Sequence, residues 1–125
     1  MRVKMCGIHV LDPAKAYAFY TGTLGFEDLL VIPEANLYVL RSPEDRHGVG
    51  LLLEPSDNPI ARAYRDGLYA AGLPAVVLGV GELCDEYDRL VAAGVRFTGE
   101  PVSDDSGTHV IFDDTCGNYI QLHED

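Results

Sequence analysis

Residues 5–27, MCGIHVLDPAKAYAFYTGTLGFE, decide the fold. The first six alternate: Ile8 and Val10 fall on one side of an extended chain, and Met5, Gly7 and His9 fall on the other. Asp12-Pro13 then sets a helix N-cap before a proline at the first helical position, where the missing N–H has no partner to lose. From there Ala16, Phe19, Tyr20, Thr23 and Leu24 recur at i, i+3, i+4, i+7 and i+8, one apolar stripe. Gly25 supplies the residue that ends a helix. A strand at about 3–10 running into a helix is the expected opening.

The same grammar returns downstream. A strand at 74–80 leads into a helix at about 82–93, with Leu83, Tyr87, Leu90 and Val91 inward and Gly94 as its stop. Asp85 and Arg89 are spaced for an i,i+4 ion pair on its wet side. Val10 matches Val80, and residues 19–26 match residues 88–95. Short strands follow each helix: 28–32, 37–41 and 48–53 in the first half, then 96–98, 108–112 and 118–123 in the second. Turn-rich segments at 103–107 and 114–117 separate the last strands. Between the halves, Asn58-Pro59 opens a linker helix at about 58–72, with Ile60, Tyr64, Leu68 and Ala71 on one face. The repeat predicts a single α+β domain over 1–125. Two tandem βαβββ modules, about 1–56 and 74–125, are expected to form a curved mixed sheet around a cavity, with helices on the outer face.

Composition narrows the partners. The 125 residues are 47% hydrophobic and 23% charged, a globular balance, and at this size no disulfide or zinc staple is required. Nine basic against twenty acidic residues give a net charge of −11, which argues against nucleic acid and anionic membrane as partners. Neutral or cationic small molecules remain. No apolar run approaches the roughly 18 residues of a membrane helix, and the N-terminus lacks a basic-then-apolar export pattern. Cys6, Cys84 and Cys116 are odd in number and widely spaced, which reads as reduced thiols in a cytoplasmic protein.

Residues 5–27, together with residues 112–124 (FDDTCGNYIQLHE), resemble the opening and closing signatures of the vicinal-oxygen-chelate superfamily. That group holds glyoxalase I, bleomycin-resistance proteins, fosfomycin-resistance enzymes and extradiol dioxygenases. The resemblance covers nearly the whole chain and is specific for fold, not for reaction. It implies a homodimer. It also implies that the four strand positions where metal-using members carry ligands fall here on Met5, Gly50, Ala75 and Gln121. Magnesium, zinc, nickel or iron wants three or four oxygen or nitrogen donors. Gly50 and Ala75 have none, Met5 offers a thioether, and only Gln121 can coordinate, through its amide oxygen. The expectation is therefore no metal and no cofactor. A shifted set of His9, Glu54 and Gln121 is the alternative.

If that face lines the cavity, the ligand-binding residues are Met5, Gly7, His9, Tyr38, Gly50, Leu52, Ala75, Val77, Tyr119 and Gln121. His9 stands where the resemblance places a substrate-binding arginine, so it is the candidate base or ligand contact; the plain alternative is a strand histidine without a task. Cys6 and His9, three apart on a strand, face opposite sides, and Cys6 is expected under a helix with Ile8 and Val10. Cys116 is read as structural and Glu54 as the last residue of an edge strand. His123 is expected at the surface, His109 faces either way, and the pairs 104–105 and 113–114 are expected to be solvated turn acids. Two small-molecule functions follow, beside a third reading as a protein-interaction module. The first is a metal-free, resistance-type protein that binds and sequesters a small molecule. The second is a lyase or isomerase of the glyoxalase type (lactoylglutathione lyase-like), or a dioxygenase-like enzyme, acting on a small oxygenated substrate. Such chemistry needs a metal, and in the isomerase a carboxylate where Gln121 stands.

Overall fold

The computed structural model describes all residues, 1–125, which divide into two compact units, Met1–Tyr64 and Arg65–Asp125. In the first, β1 (Met5–Val10) leads into α1 (Pro13–Gly22), followed by β2 (Glu27–Ile32), β3 (Leu37–Arg41) and β4 (Gly50–Pro55). The sheet order is β1-β4-β3-β2, with β1 and β4 parallel and the other neighbours antiparallel. Helix α2 (Pro59–Ala70) spans the division. The second unit holds β5 (Pro74–Val80), α3 (Leu83–Ala92), β6 (Arg96–Phe97), β7 (Val102–Asp104), β8 (Gly107–Asp113) and β9 (Tyr119–Glu124). Its order is β5-β9-β8-β6, with β7 also paired to β8. The fold is α+β, and the two tandem modules each form an open mixed sheet. The repeat is visible in the register: Val10 pairs with Pro55 as Val80 pairs with Glu124.

The helices start and stop for the reasons the residues give. Asp12 Oδ1 accepts from Ala14 N at 3.1 Å, one turn-opening donor satisfied, with Pro13 behind it. All three helices end against a left-handed glycine: Gly25 at φ +87°, Gly72 at +70° and Gly94 at +88°. In each case the next residue's N–H reaches back to the last turn, Phe26 to Tyr20 O, Leu73 to Leu68 O and Val95 to Leu90 O, at 2.9–3.0 Å.

Each sheet buries the face covered by its own helix. In the first unit Ala16 and Tyr20 of α1 are fully buried with Val10, Leu40 and Leu53. In the second, Leu83 and Leu90 of α3 are fully buried with Phe112 and Ile120. A buried leucine contributes roughly 1.5–3 kcal/mol, so these layers hold the modules together.

Five sequence expectations change. The segment expected as a turn at 103–107 opens with a short strand, β7, paired to β8, so the second module has one strand more than the βαβββ pattern. Arg89 pairs with Glu86 rather than Asp85, donating from Nε to Oε2 at 3.1 Å, because i−3 is also a neighbour on a helix surface. Cys6 is exposed: burial on that side of β1 begins two residues later, at Ile8. Glu54 lies on an interior strand, since β4 is flanked by β1 and β3. Asp114 is not a solvated acid but fully buried. Its Oδ1 accepts from Cys116 N at 2.7 Å and Asn118 N at 3.0 Å, so the carboxylate ties the β8–β9 turn from within.

Candidate functional site

Each unit turns one sheet face away from its own helix. In the first, Met5 pairs with Gly50, Gly7 with Leu52, His9 with Glu54, and Val39 with Leu52, so these residues share that face. Tyr38 does not. It alternates with Val39, is 6% exposed, and packs its ring 5.2 Å from Tyr17 of α1. The expected cavity wall is a core residue. Gly50 is buried, and a Cβ there would meet Leu29 Cδ2 at 3.1 Å and Val39 Cγ1 at 3.2 Å. That position is filled by its neighbours. His9 is half-buried, with Nδ1 3.4 Å from Pro55 O and its ring edge-on to Tyr64 at 6.4 Å.

In the second unit the open face carries Tyr119, Gln121 and His123 of β9, Asp113, Ile111 and His109 of β8, and Val77 of β5 opposite Gln121. Ala75 falls in a register shift between Pro74 and Val76. His123, expected at the surface, is half-buried and held at both ring nitrogens: Nε2 lies 2.8 Å from Ser106 O, and Nδ1 lies 3.4 Å from Gln121 Nε2. His109 shares this face, its ring stacked on that of His123 at 6.0 Å. His109 Nε2 lies 2.9 Å from Asp104 Oδ2, and this bond first, then those from Ser106, holds the Asp104 carboxyl well below the usual range.

At one end of this face is a pocket of about 380 Å³, lined by Tyr69, Arg96, Phe97, Thr98, Asp113 and Tyr119. The Tyr69 and Tyr119 rings stack at 4.5 Å with their planes 5° apart. Tyr69 Oη donates to Asp113 Oδ2 at 2.6 Å, while Asp113 Oδ1 accepts from Thr115 N at 2.7 Å. The bond to Asp113, then the Tyr119 hydroxyl and burial, pushes the Tyr69 phenol well above its ordinary value. Arg96 stands directly across from Asp113 in the β6–β8 register. Sequence reading found Tyr119 but missed Tyr69, Arg96 and Asp113. Tyr69 lies on the linker helix outside the apolar face read from the sequence, and 44 positions separate it from Asp113. A turn at 114–117, as read from the sequence, would pair Asp113 with Asn118; the turn is one residue longer, and that sets Asp113 opposite Tyr119.

A family metal does not fit these residues. The repeat register equates Leu52 with Gln121, so the fourth-strand position lacks a donor whether it is Gly50 or Leu52. No three His, Cys, Asp or Glu side chains gather into a set that could hold an ion.

Paired modules, each a strand, a helix and three or four further strands with one open sheet face, define the class of protein. The chain belongs to the Glyoxalase/Bleomycin resistance protein/Dioxygenase superfamily, whose model matches residues 2–122. It is 41% identical over 124 residues to the uncharacterized protein YurT of Bacillus subtilis (strain 168), covering 98% of both chains. It is 31% identical to the crystal structure of UcmS2, with a TM-score of 0.77 and 98% of both chains covered. Two structures under 25% identity share the fold alone. One is TnmS3, an antibiotic binding protein from Streptomyces sp. CB03234 (22%, TM-score 0.74, covering 99% of this chain and 95% of that one). The other is lactoylglutathione lyase from Agrobacterium tumefaciens (19%, TM-score 0.70, 98% and 92%). The scaffold thus carries both binding and catalysis, and the residues must decide.

Proposed function

We propose that this chain is a metal-free member of its superfamily that binds and sequesters a small organic molecule. The observation that carries the reading is the donor set: Met5, Gly50, Ala75 and Gln121 supply one hard donor where a divalent ion needs three or four. Isomerisation of the glyoxalase type would also need a carboxylate to move a proton, and the Gln121 amide does not take one. An open, largely polar cleft of about 380 Å³ in the second unit, with the rings of Tyr69, Phe97 and Tyr119 among its lining, has room for a small molecule. TnmS3, described as an antibiotic binding protein, supports the reading at the level of the fold.

A homodimer belongs to the same proposal. Strand β2 is a sheet edge and exposes Leu29, Leu30 and Ile32 by 40–49%, apolar surface that a second copy would cover. Native mass spectrometry on freshly purified protein tests both parts. A dimer retaining an organic mass, with no metal adduct, is the expected spectrum. A stoichiometric nickel, zinc or iron adduct removes the binding reading, and a monomer across micromolar concentrations removes the dimer.

A further inference from the structure

The pocket of the second unit is lined by a cation and an anion that do not pair with each other, Arg96 and Asp113. Residues 65–125 carry three basic and twelve acidic side chains. Arg65 pairs with Asp66 and Arg89 with Glu86. Arg96 is the remaining cation and is in no ion pair, although it sits directly opposite Asp113 on the neighbouring strand. Asp113 is turned instead to Thr115 N and Tyr69 Oη, one bond on each oxygen, and each oxygen keeps a second lone pair. The same pocket is lined by the parallel Tyr69–Tyr119 stack, a flat π surface tied to Asp113 by the Tyr69 hydroxyl.

From this arrangement we infer, resting on the binding reading above, that the pocket takes a neutral planar aromatic molecule carrying a carbonyl acceptor and a hydroxyl or amide donor. The ring lies on the tyrosine platform, where offset stacking favours a flat partner. The carbonyl oxygen accepts from the Arg96 fork, and the donor bonds to Asp113. A simple cation gains from Asp113 but is set against Arg96. A simple anion gains from Arg96 but is set against Asp113 and the surplus of acidic residues in this unit. A neutral dipole satisfies both ends without net charge.

Salicylamide serves as the neutral probe, with benzamidine as the cationic control and benzoate as the anionic one. Amide chemical shifts in NMR titrations of the full chain report where each binds. The expected result is saturable shifts at residues 96–98, 113 and 119 with salicylamide, and at least tenfold weaker binding of both controls there. In Arg96→Gln, whose circular dichroism matches the parent because the residue is exposed, salicylamide binding falls about tenfold. No saturable shift at these residues up to 10 mM salicylamide overturns the inference, as does tighter binding of benzamidine or an Arg96→Gln variant that binds unchanged. Saturable shifts elsewhere, at His9 or Gln121 without 96–98, overturn it while leaving the binding reading standing. Stoichiometric uptake of Ni²⁺ titrated into the same sample removes the binding reading itself.

Discussion

Asp114 offers a quantitative test of how the site is built. Its carboxylate is fully buried and satisfies two backbone donors, Cys116 N at 2.7 Å and Asn118 N at 3.0 Å, with Asn118 Nδ2 at 3.4 Å on the other oxygen. Those bonds shape the turn that carries Thr115 at φ +59° and sets Asp113 beside Tyr119. Asp114→Ala strands both backbone N–H groups in a dry interior, at about 1–3 kcal/mol each, so a loss of about 4 kcal/mol is expected. That is a large part of the roughly 5–15 kcal/mol that holds a domain together. With a urea slope of about 2 kcal/mol/M, the unfolding midpoint falls by about 2 M. Asp114→Asn keeps an amide oxygen where Oδ1 accepts, so its loss is smaller, about 1 kcal/mol. Urea unfolding followed by circular dichroism measures both variants. A midpoint shift under about 0.5 M for the alanine variant, or equal shifts for the two, refutes the account of this turn.

Three further outcomes follow from other parts of the structure. Gly107, at φ +117°, would place a Cβ 2.9 Å from His123 Nε2, so Gly107→Ala should cost about 1–3 kcal/mol in urea unfolding, whereas Gly22→Ala, with nothing within 4 Å, should be neutral or stabilising; the reverse order contradicts the placement of His123. The Tyr69 phenol is raised, chiefly by Asp113, so the stability it adds is fully present below pH ~10 and is lost as pH climbs through its higher folded value. Absorbance titration of Tyr69→Phe should then lack a phenol from the late, high-pH limb alone, and a loss from the early limb would contradict the bond. The Asp104 carboxyl is lowered, chiefly by His109, so its contribution is present above pH ~3.9 and is lost only as pH falls through the lower folded value. Carbon-13 NMR should find the Asp104 carboxyl titrating at higher pH in His109→Ala than in the parent, while the Ser106 bonds still hold it below the usual range, and matching titrations in the two would rule out that pairing.

The fold was legible because its signals are local. Asp12-Pro13 and the terminating glycines fix helix ends within a few residues, and the alternation of Ile8 and Val10 fixes a buried face. The repeat of strand, helix and strands then leaves few topologies. The site was legible only in part. Strand alternation places Met5, Gly7, His9 and Leu52 on the open face of one sheet and Val77, Tyr119 and Gln121 on that of the other, and the register shows that placement alone, not what the faces bind. Tyr38 was misplaced because its face depends on the pairing of Val39 with Leu52, which no local pattern reveals. Asp114 was misread because a turn aspartate that caps its own backbone looks, in sequence, like one that meets water. Tyr69 comes from a helix and Arg96 from a two-residue strand to line one pocket with Asp113 and Tyr119, and only tertiary structure brings the four together.

The central claim is that the family ligand positions cannot hold a divalent ion. Calorimetric titration of the chelator-treated protein with Co²⁺, read alongside its visible absorption, tests it most directly. The donor set predicts no one-to-one binding tighter than about 1 mM and no tetrahedral cobalt bands. One-to-one binding at about 10 µM or tighter, lost in Gln121→Leu, would contradict it.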